Sequence, residues 1–211
     1  MQPTDIKNPD YFHKVVDCQW ACPAHTPVPE YIRLIAAGRY SDAYMVNWDS
    51  NVFPGILGRT CDRPCEPACR RGRVEEENQP KPEPVAICRL KRVAADYKDD
   101  DIKKYMPKPA ARKNGRKIVC VGAGPASLTV ARDLAPLGYD VTVFDQDPRA
   151  GGMIWSQIPR FRLPMEVIDE EVGYILDLGV EFKGGTRIGS MKKLMPRCLG
   201  TSQSVRATSM P

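Results

Sequence analysis

The chain has 211 residues, 42% hydrophobic and 27% charged, which is enough apolar material for one large or two small domains with their own cores. No run of about 18 apolar residues occurs, so membrane insertion is not expected. The net charge of +5, from 31 basic and 26 acidic residues spread along the chain without interleaved aromatics, argues against a nucleic-acid partner.

The opening MQPTDIKNPD is polar and has no charged-then-apolar leader, which predicts a cytoplasmic location. Eight cysteines are many for a compartment that keeps thiols reduced, and there clustered thiols point to metal or redox chemistry. Six of them, Cys18, Cys22, Cys61, Cys65, Cys69 and Cys88, fall before residue 90. Between the cysteine groups Pro29 opens a short helix as a first-turn proline, Gly38 closes it, and Ser41 is placed to cap the next, SDAYMVN. VEEENQPKPEP, residues 74–84, has the composition of a solvated loop, and IxxLKRVAADY after it reads as a helix. Charge and proline return over 98–114, which marks a linker between domains at 1–97 and 115–195 and leaves an irregular tail at 196–211.

Beyond the linker the pattern becomes βαβ. KIVCV is a short apolar strand, GAGPASLTVARDLAPLG a turn and helix, and YDVTVFD a second strand. Ile168, Val172, Ile175 and Leu176 recur at helical spacing over 167–178, and VEF past Gly179 is a further strand. The expected fold class is thus α+β multidomain, an N-terminal all-α domain followed by a Rossmann-like α/β domain lacking its later strands. Gly122, Gly124 and Ser127 stand where a G-x-G-x-x-G turn puts its glycines, between strand and helix. Gly122 permits the tight turn, and Gly124 lets the backbone approach a pyrophosphate resting on amides of the helix N-terminus. Asp145, 21 residues past Gly124 at the end of the second strand, is placed to accept from ribose hydroxyls. The pattern leaves FAD and NAD(P) both open. Gly151 and Gly152 suggest a second close backbone approach, or simply a turn.

Cys61, Cys65 and Cys69 recur every four residues, but Pro64 and Pro67 prevent a regular helix, so a looped backbone wraps the thiols around a metal centre. Iron–sulfur clusters take thiolates, often with a proline beside a ligand, as at Cys22-Pro23. Zinc is the weaker alternative because paired C-x2-C knuckles are missing. Cys120, inside the first strand, reads as a buried small hydrophobe.

Three stretches, DCQWACPAHTPVPEYI, GRTCDRPCEPACRRG, and GAGPASL followed by VTVFDQDPRAGGMIWSQIPRFRLPMEVIDEEV, together resemble the glutamate synthase small (beta) subunit-like NAD(P)H oxidoreductase family. The same module resembles the N-terminal half of dihydropyrimidine dehydrogenase, and the likeness covers roughly Tyr11 to Met195. It implies a helical domain holding two [4Fe–4S] clusters, FAD on the Rossmann-like domain, and NADPH on a second nucleotide domain inserted further on. Electrons in that family pass from NADPH to FAD and through the clusters to a redox partner subunit or domain.

Carried over by position, Cys22, Cys61 and Cys65 match ligands of one cluster, and Cys18 and Cys69 match ligands of the other. The family's two earliest cysteines fall at Asp10 and His13, so the second cluster is either absent or completed by oxygen and nitrogen ligands, as imidazole replaces thiolate in Rieske centres. The first cluster's Glu or Gln ligand falls at Lys91, a poor ligand. Cys88, three residues earlier on the same helix face, is therefore expected to take over. On the flavin side the resemblance implies FAD contacts from Asp145, Gly124, Pro125, Ala126, Met153 and Arg162.

No acid–base catalytic residue is identifiable, so the expected role is that of an electron conduit. At this length the chain is expected to be a truncated member without the NAD(P)H domain and inactive toward NADPH alone. The competing class is a noncatalytic zinc or iron–sulfur interaction domain with a degenerate nucleotide fold.

Overall fold

The computed structural model describes residues 16–73 and 82–190, together with 192 and 194. The chain divides into two compact units, one made of residues 1–106 with 161–163, the other of 107–160 with 164–211.

The first unit is helical: α1 (Asp17–Trp20), α2 (Val28–Ala36), α3 (Tyr40–Asn51), α4 (Pro54–Thr60) and α5 (Ile87–Asp96), with 3-10 turns at Arg70–Arg73 and Ile102–Tyr105. Proline in the first turn opens α2, and Gly38, at φ +73°, closes it with its N–H bonded to the Ile35 carbonyl. Val28, Tyr31 and Leu34 turn one face of α2 into a core shared with Ala43, Ile87, Ala94, Cys65 and Cys69.

Ser41 does not cap α3. The helix begins at Tyr40, and Ser41 is buried inside it, where its hydroxyl donates to Asp99 Oδ2 (2.7 Å) and accepts from the Asp99 N–H (2.9 Å). Asp99 lies in the segment that composition marks as linker, and Ile102 and Met106 of that segment are buried too. Residues 98–106 therefore pack with the helical unit, and the division between units falls after Met106. The inner face of α3 is unusually polar: Asn47 donates to the Ala43 carbonyl (2.8 Å), and Asn51 Nδ2 reaches both Asn47 Oδ1 and Thr26 Oγ1 at 3.3 Å. Both amide nitrogens are bonded, which offsets part of the cost of such burial, while the buried Asn51 Oδ1 is left without a partner among the described residues.

Helices α4 and α5 meet almost backbone to backbone. A Cβ on Gly58 would lie 2.8 Å from Arg92 Cα and 2.9 Å from its nitrogen. Arg59 Nη2 adds an ion pair to Asp96 (2.6 Å), which Arg92 Nε shares from within α5 (3.0 Å).

The second unit holds β1 (Lys117–Val121), α6 (Pro125–Leu134), β2 (Asp140–Phe144), α7 (Met153–Ser156), α8 (Met165–Leu176) and β3 (Glu181–Lys183), with a 3-10 turn at Ala135–Leu137. The strands form a three-stranded parallel sheet in the order β1-β2-β3. Parallel neighbours need a crossover, and α6 and α8 supply one each. In register, Cys120 pairs with Val143 and Val143 with Phe182, so one face is apolar, and α6 packs on it. Lys117, Asp140, Thr142, Glu181 and Lys183 alternate onto the other face. The expectation for Cys120 holds here, since it is 9% exposed. The fold class is thus helical domain followed by Rossmann-like α/β domain, as the sequence pattern predicts.

If the α4–α5 approach is as tight as this, Gly58→Ala should destabilise the helical unit by about 1–3 kcal/mol through overpacking. Urea unfolding of the full chain checks it; an unchanged midpoint would show that the helices separate at no cost.

Candidate functional site

In the helical unit the cysteines come from three segments. Cys22 sits at the turn after α1, Cys61 ends α4, Cys65 lies in the turn that Pro64 and Pro67 keep from becoming a helix, and Cys88 is the second residue of α5. None of the described cysteines is in a disulfide. Cys61, Cys65 and Cys88 lie in one electrostatic neighbourhood, and Cys22 acts on Cys65 within it. A hydrogen bond from Cys88 holds the Cys61 thiol well below the usual thiol range. The same bond, followed by burial, pushes Cys88 upward, and burial raises Cys65 to about 11.

The backbone supports these sulfurs. Arg63 N–H points at Cys61 Sγ (3.3 Å), and Arg63 itself adopts φ +62° in the Cys61–Cys65 turn. Cys88 N–H, in the first turn of α5 where no intrahelical acceptor exists, is taken by Glu66 Oε1 (3.0 Å), which joins the cysteine turn to the helix. Cys88 Sγ lies 3.4 Å from the Leu57 carbonyl, and Cys22 Sγ lies 3.5 Å from Thr26 Oγ1. Thr26 and Glu66 were invisible to spacing arguments, because each acts on a cysteine through a single side-chain atom with no periodic signature.

Burial raises the Cys18 thiol, and Cys69 adds to the rise. Tyr31 feels cysteines from both groups. It is fully buried, donates to the Ile87 carbonyl (3.0 Å), and is acted on by Cys65, Cys88, Cys18 and Cys22. Asp10 and His13, the expected completing ligands, lie outside the described residues.

Among the described residues no three Cys, His, Asp or Glu side chains close around a single ion. The all-thiol set at Cys22, Cys61, Cys65 and Cys88 fits a multi-iron core, which takes one thiolate per corner and tolerates a wider set than tetrahedral zinc with Zn–S bonds of about 2.3 Å.

In the second unit the turn after β1 opens a groove of about 640 Å³ lined by Gly122, Gly124, Pro125, Asp145, Gly152, Met153 and the 186–188 strip. Gly122 has φ +95°, and a Cβ on Gly122 or Gly124 would meet nothing within 4 Å, so both open onto the groove. Gly152, at φ +55°, backs directly onto the turn, where a Cβ would lie 2.9 Å from Gly124 Cα. Gly151 N–H donates to the Ala123 carbonyl (2.8 Å) and fastens the two loops. Helix geometry leaves the Ala126 and Ser127 amides without intrahelical acceptors at the start of α6. Asp145 accepts from the Ala123 N–H through Oδ2 and from the Asp147 N–H through Oδ1 (2.9 Å). The carboxylate is thereby fixed at the groove wall with lone pairs to spare. The cradle fits a dinucleotide.

Two residues expected at the flavin sit differently from one another. Met153 begins α7 at the groove and is 67% exposed. Arg162 belongs with the helical unit, where its Nε donates to the Arg59 carbonyl (3.1 Å). Ser127 interacts with the Cys120 thiol beneath the turn.

Comparison with known proteins agrees with both units. Residues 12–102 match the family model described as dihydropyrimidine dehydrogenase domain II, 4Fe-4S cluster, and residues 120–181 match the NAD(P)-binding Rossmann-like domain. Over 192 residues the chain is 37% identical to the NADP(+)-dependent formate dehydrogenase subunit beta of Moorella thermoacetica, covering 82% of this chain and 26% of that protein. It is 35% identical over 195 residues to the NADPH-Fe(3+) oxidoreductase subunit beta of Geobacter sulfurreducens (88% and 28%), and 34% identical over 172 residues to the glutamate synthase [NADPH] small chain of Mycobacterium tuberculosis (82% and 34%). The chain thus spans between a quarter and about a third of the length of these relatives. The cluster-domain match, the Rossmann-domain match and these relatives agree: the chain is similar to part of the iron–sulfur and nucleotide-binding subunits of such oxidoreductases, the glutamate synthase small chain among them.

Proposed function

We propose that this chain is the electron-transfer module of an NAD(P)H-linked iron–sulfur flavoprotein, working in the cytoplasm and delivering electrons to a redox partner subunit or domain. What supports this reading is that Cys61, Cys65 and Cys88 share one electrostatic neighbourhood, in which Cys22 acts on Cys65, upstream of a nucleotide cradle in the same chain. Those four residues hold one [4Fe–4S] cluster. Cys18 and Cys69 supply half the ligands of a second, which Asp10 and His13 complete if it forms. The cradle takes FAD: Gly122 and Gly124 admit the pyrophosphate, the Ala126 and Ser127 amides bond its oxygens, Asp145 holds the ribose, and Met153 borders the flavin half. A bound cluster and flavin supply one- and two-electron chemistry, and the protein positions them and excludes water.

Cys88 is the test of the ligand set. Cys88→Ser should lower iron per chain and alter the visible spectrum of the reconstituted protein, because a hydroxyl is a far poorer ligand for iron than a thiolate; full iron content with an unchanged spectrum would remove Cys88 from the site. Asp145→Ala should weaken FAD retention at least about tenfold, equivalent to about 1.4 kcal/mol. Equal retention in equilibrium dialysis would mean that the ribose contact is not made. Gly152→Ala should lose flavin as well, since its Cβ would push into Gly124, while the iron content of the helical unit stays at the wild-type level.

A further inference from the structure

One lysine of the helical unit packs its side chain inward beside the cysteines. Lys91 is only 6% exposed. It lies on α5 one turn beyond Cys88, on the same face, since residues three apart are neighbours on a helix. The adjacent cations of α4 and α5 have found a carboxylate: Arg59 and Arg92 both pair with Asp96, at 2.6 and 3.0 Å. No described carboxylate pairs with Lys91. The groups that feel its charge are Cys61, Cys65 and Cys88.

An ammonium drawn toward the interior is stabilised by an anion beside it. Protonated thiols offer none, and among Cys61, Cys65 and Cys88 only Cys61 leans toward the thiolate. Four thiolates around an iron–sulfur core offer one, because their summed charge outweighs that of the core in both redox states, and more so after reduction. Resting on the ligand assignment above, we propose that Lys91 is the internal counter-charge of the cluster held by Cys22, Cys61, Cys65 and Cys88, and that it raises the cluster's reduction potential. Reduction adds one electron to the cluster, supplied in the assay by dithionite, and forms or breaks no bond. The fixed ammonium offsets the negative charge so added. Lys91 acts through the cluster's charge without ligating iron, and is therefore a tuning and positioning residue.

The test is an electron paramagnetic resonance-monitored dithionite titration of the anaerobically reconstituted full chain, with iron and sulfide counted on each sample, for wild type, Lys91→Leu and Lys91→Arg. Lys91→Leu should lower the midpoint so that, at the wild-type midpoint, the reduced-to-oxidised ratio falls by about tenfold, a shift of about 59 mV for one electron. Lys91→Arg, which keeps the charge, should stay near wild type. A Leu variant with full iron and an unmoved midpoint overturns the counter-charge role while leaving the ligand set standing. If Leu prevents assembly, Arg decides: a cluster in Arg supports a role for the charge, and its loss in Arg as well assigns Lys91 to packing and overturns the proposal. A wild-type chain that takes up no iron and sulfide overturns the ligand assignment and this inference together.

Discussion

The candidate cluster site depends on how closely α4 and α5 approach. Only glycine at position 58 lets the α4 backbone reach Arg92 at a distance no side chain allows. That contact brings the C-terminal end of α4, where Cys61 sits, to the start of α5, where Cys88 sits. The remaining pieces hang from this pair. The Leu57 carbonyl and Glu66 carboxylate fix Cys88, the Arg63 amide fixes Cys61, and the proline-interrupted turn carries Cys65 back toward both. A site made of thiols on short, separately anchored segments is rigid only if those segments are, and here the anchors are backbone groups and the half-buried Glu66 carboxylate.

The nucleotide cradle solves a related problem with different means. Its turn has to stay open above Gly122 and Gly124 yet be supported from behind, and Gly152 supplies that support because it too lacks a Cβ. Asp145 does double service, bonding the turn's Ala123 amide and the Asp147 amide while presenting its remaining lone pairs to the groove. The turn and its acid are thereby pre-organised, which lowers what a bound nucleotide would lose in ordering them.

Much of this was legible from local signals. The α2 boundaries follow from Pro29 and Gly38, because first-turn proline and left-handed glycine act within a few residues. The βαβ segment follows from strand, glycine turn and helix standing in immediate succession. What escaped depends on partners far along the chain. Ser41 looked like a cap, but its partner is Asp99, 58 residues away, and no periodicity announces such a pairing. The same bond explains why a charged, proline-bearing stretch that reads as a linker is packed over its first half. The polar inner face of α3 is likewise illegible, since Asn47 and Asn51 are buried only because Thr26 and the Ala43 carbonyl answer them. Lys91 is the sharpest case: its residue type argues for the surface, and only the cysteines around it give its burial a physical reason.

The central claim is that these thiols hold an iron–sulfur core in a chain that also binds flavin. Anaerobic purification followed by iron, acid-labile sulfide, zinc and flavin quantitation on one sample tests it most directly. The account predicts about four irons with matching sulfide per chain, rising to about eight if the Cys18 and Cys69 pair is completed, together with bound FAD. Stoichiometric zinc with neither iron nor flavin would contradict it.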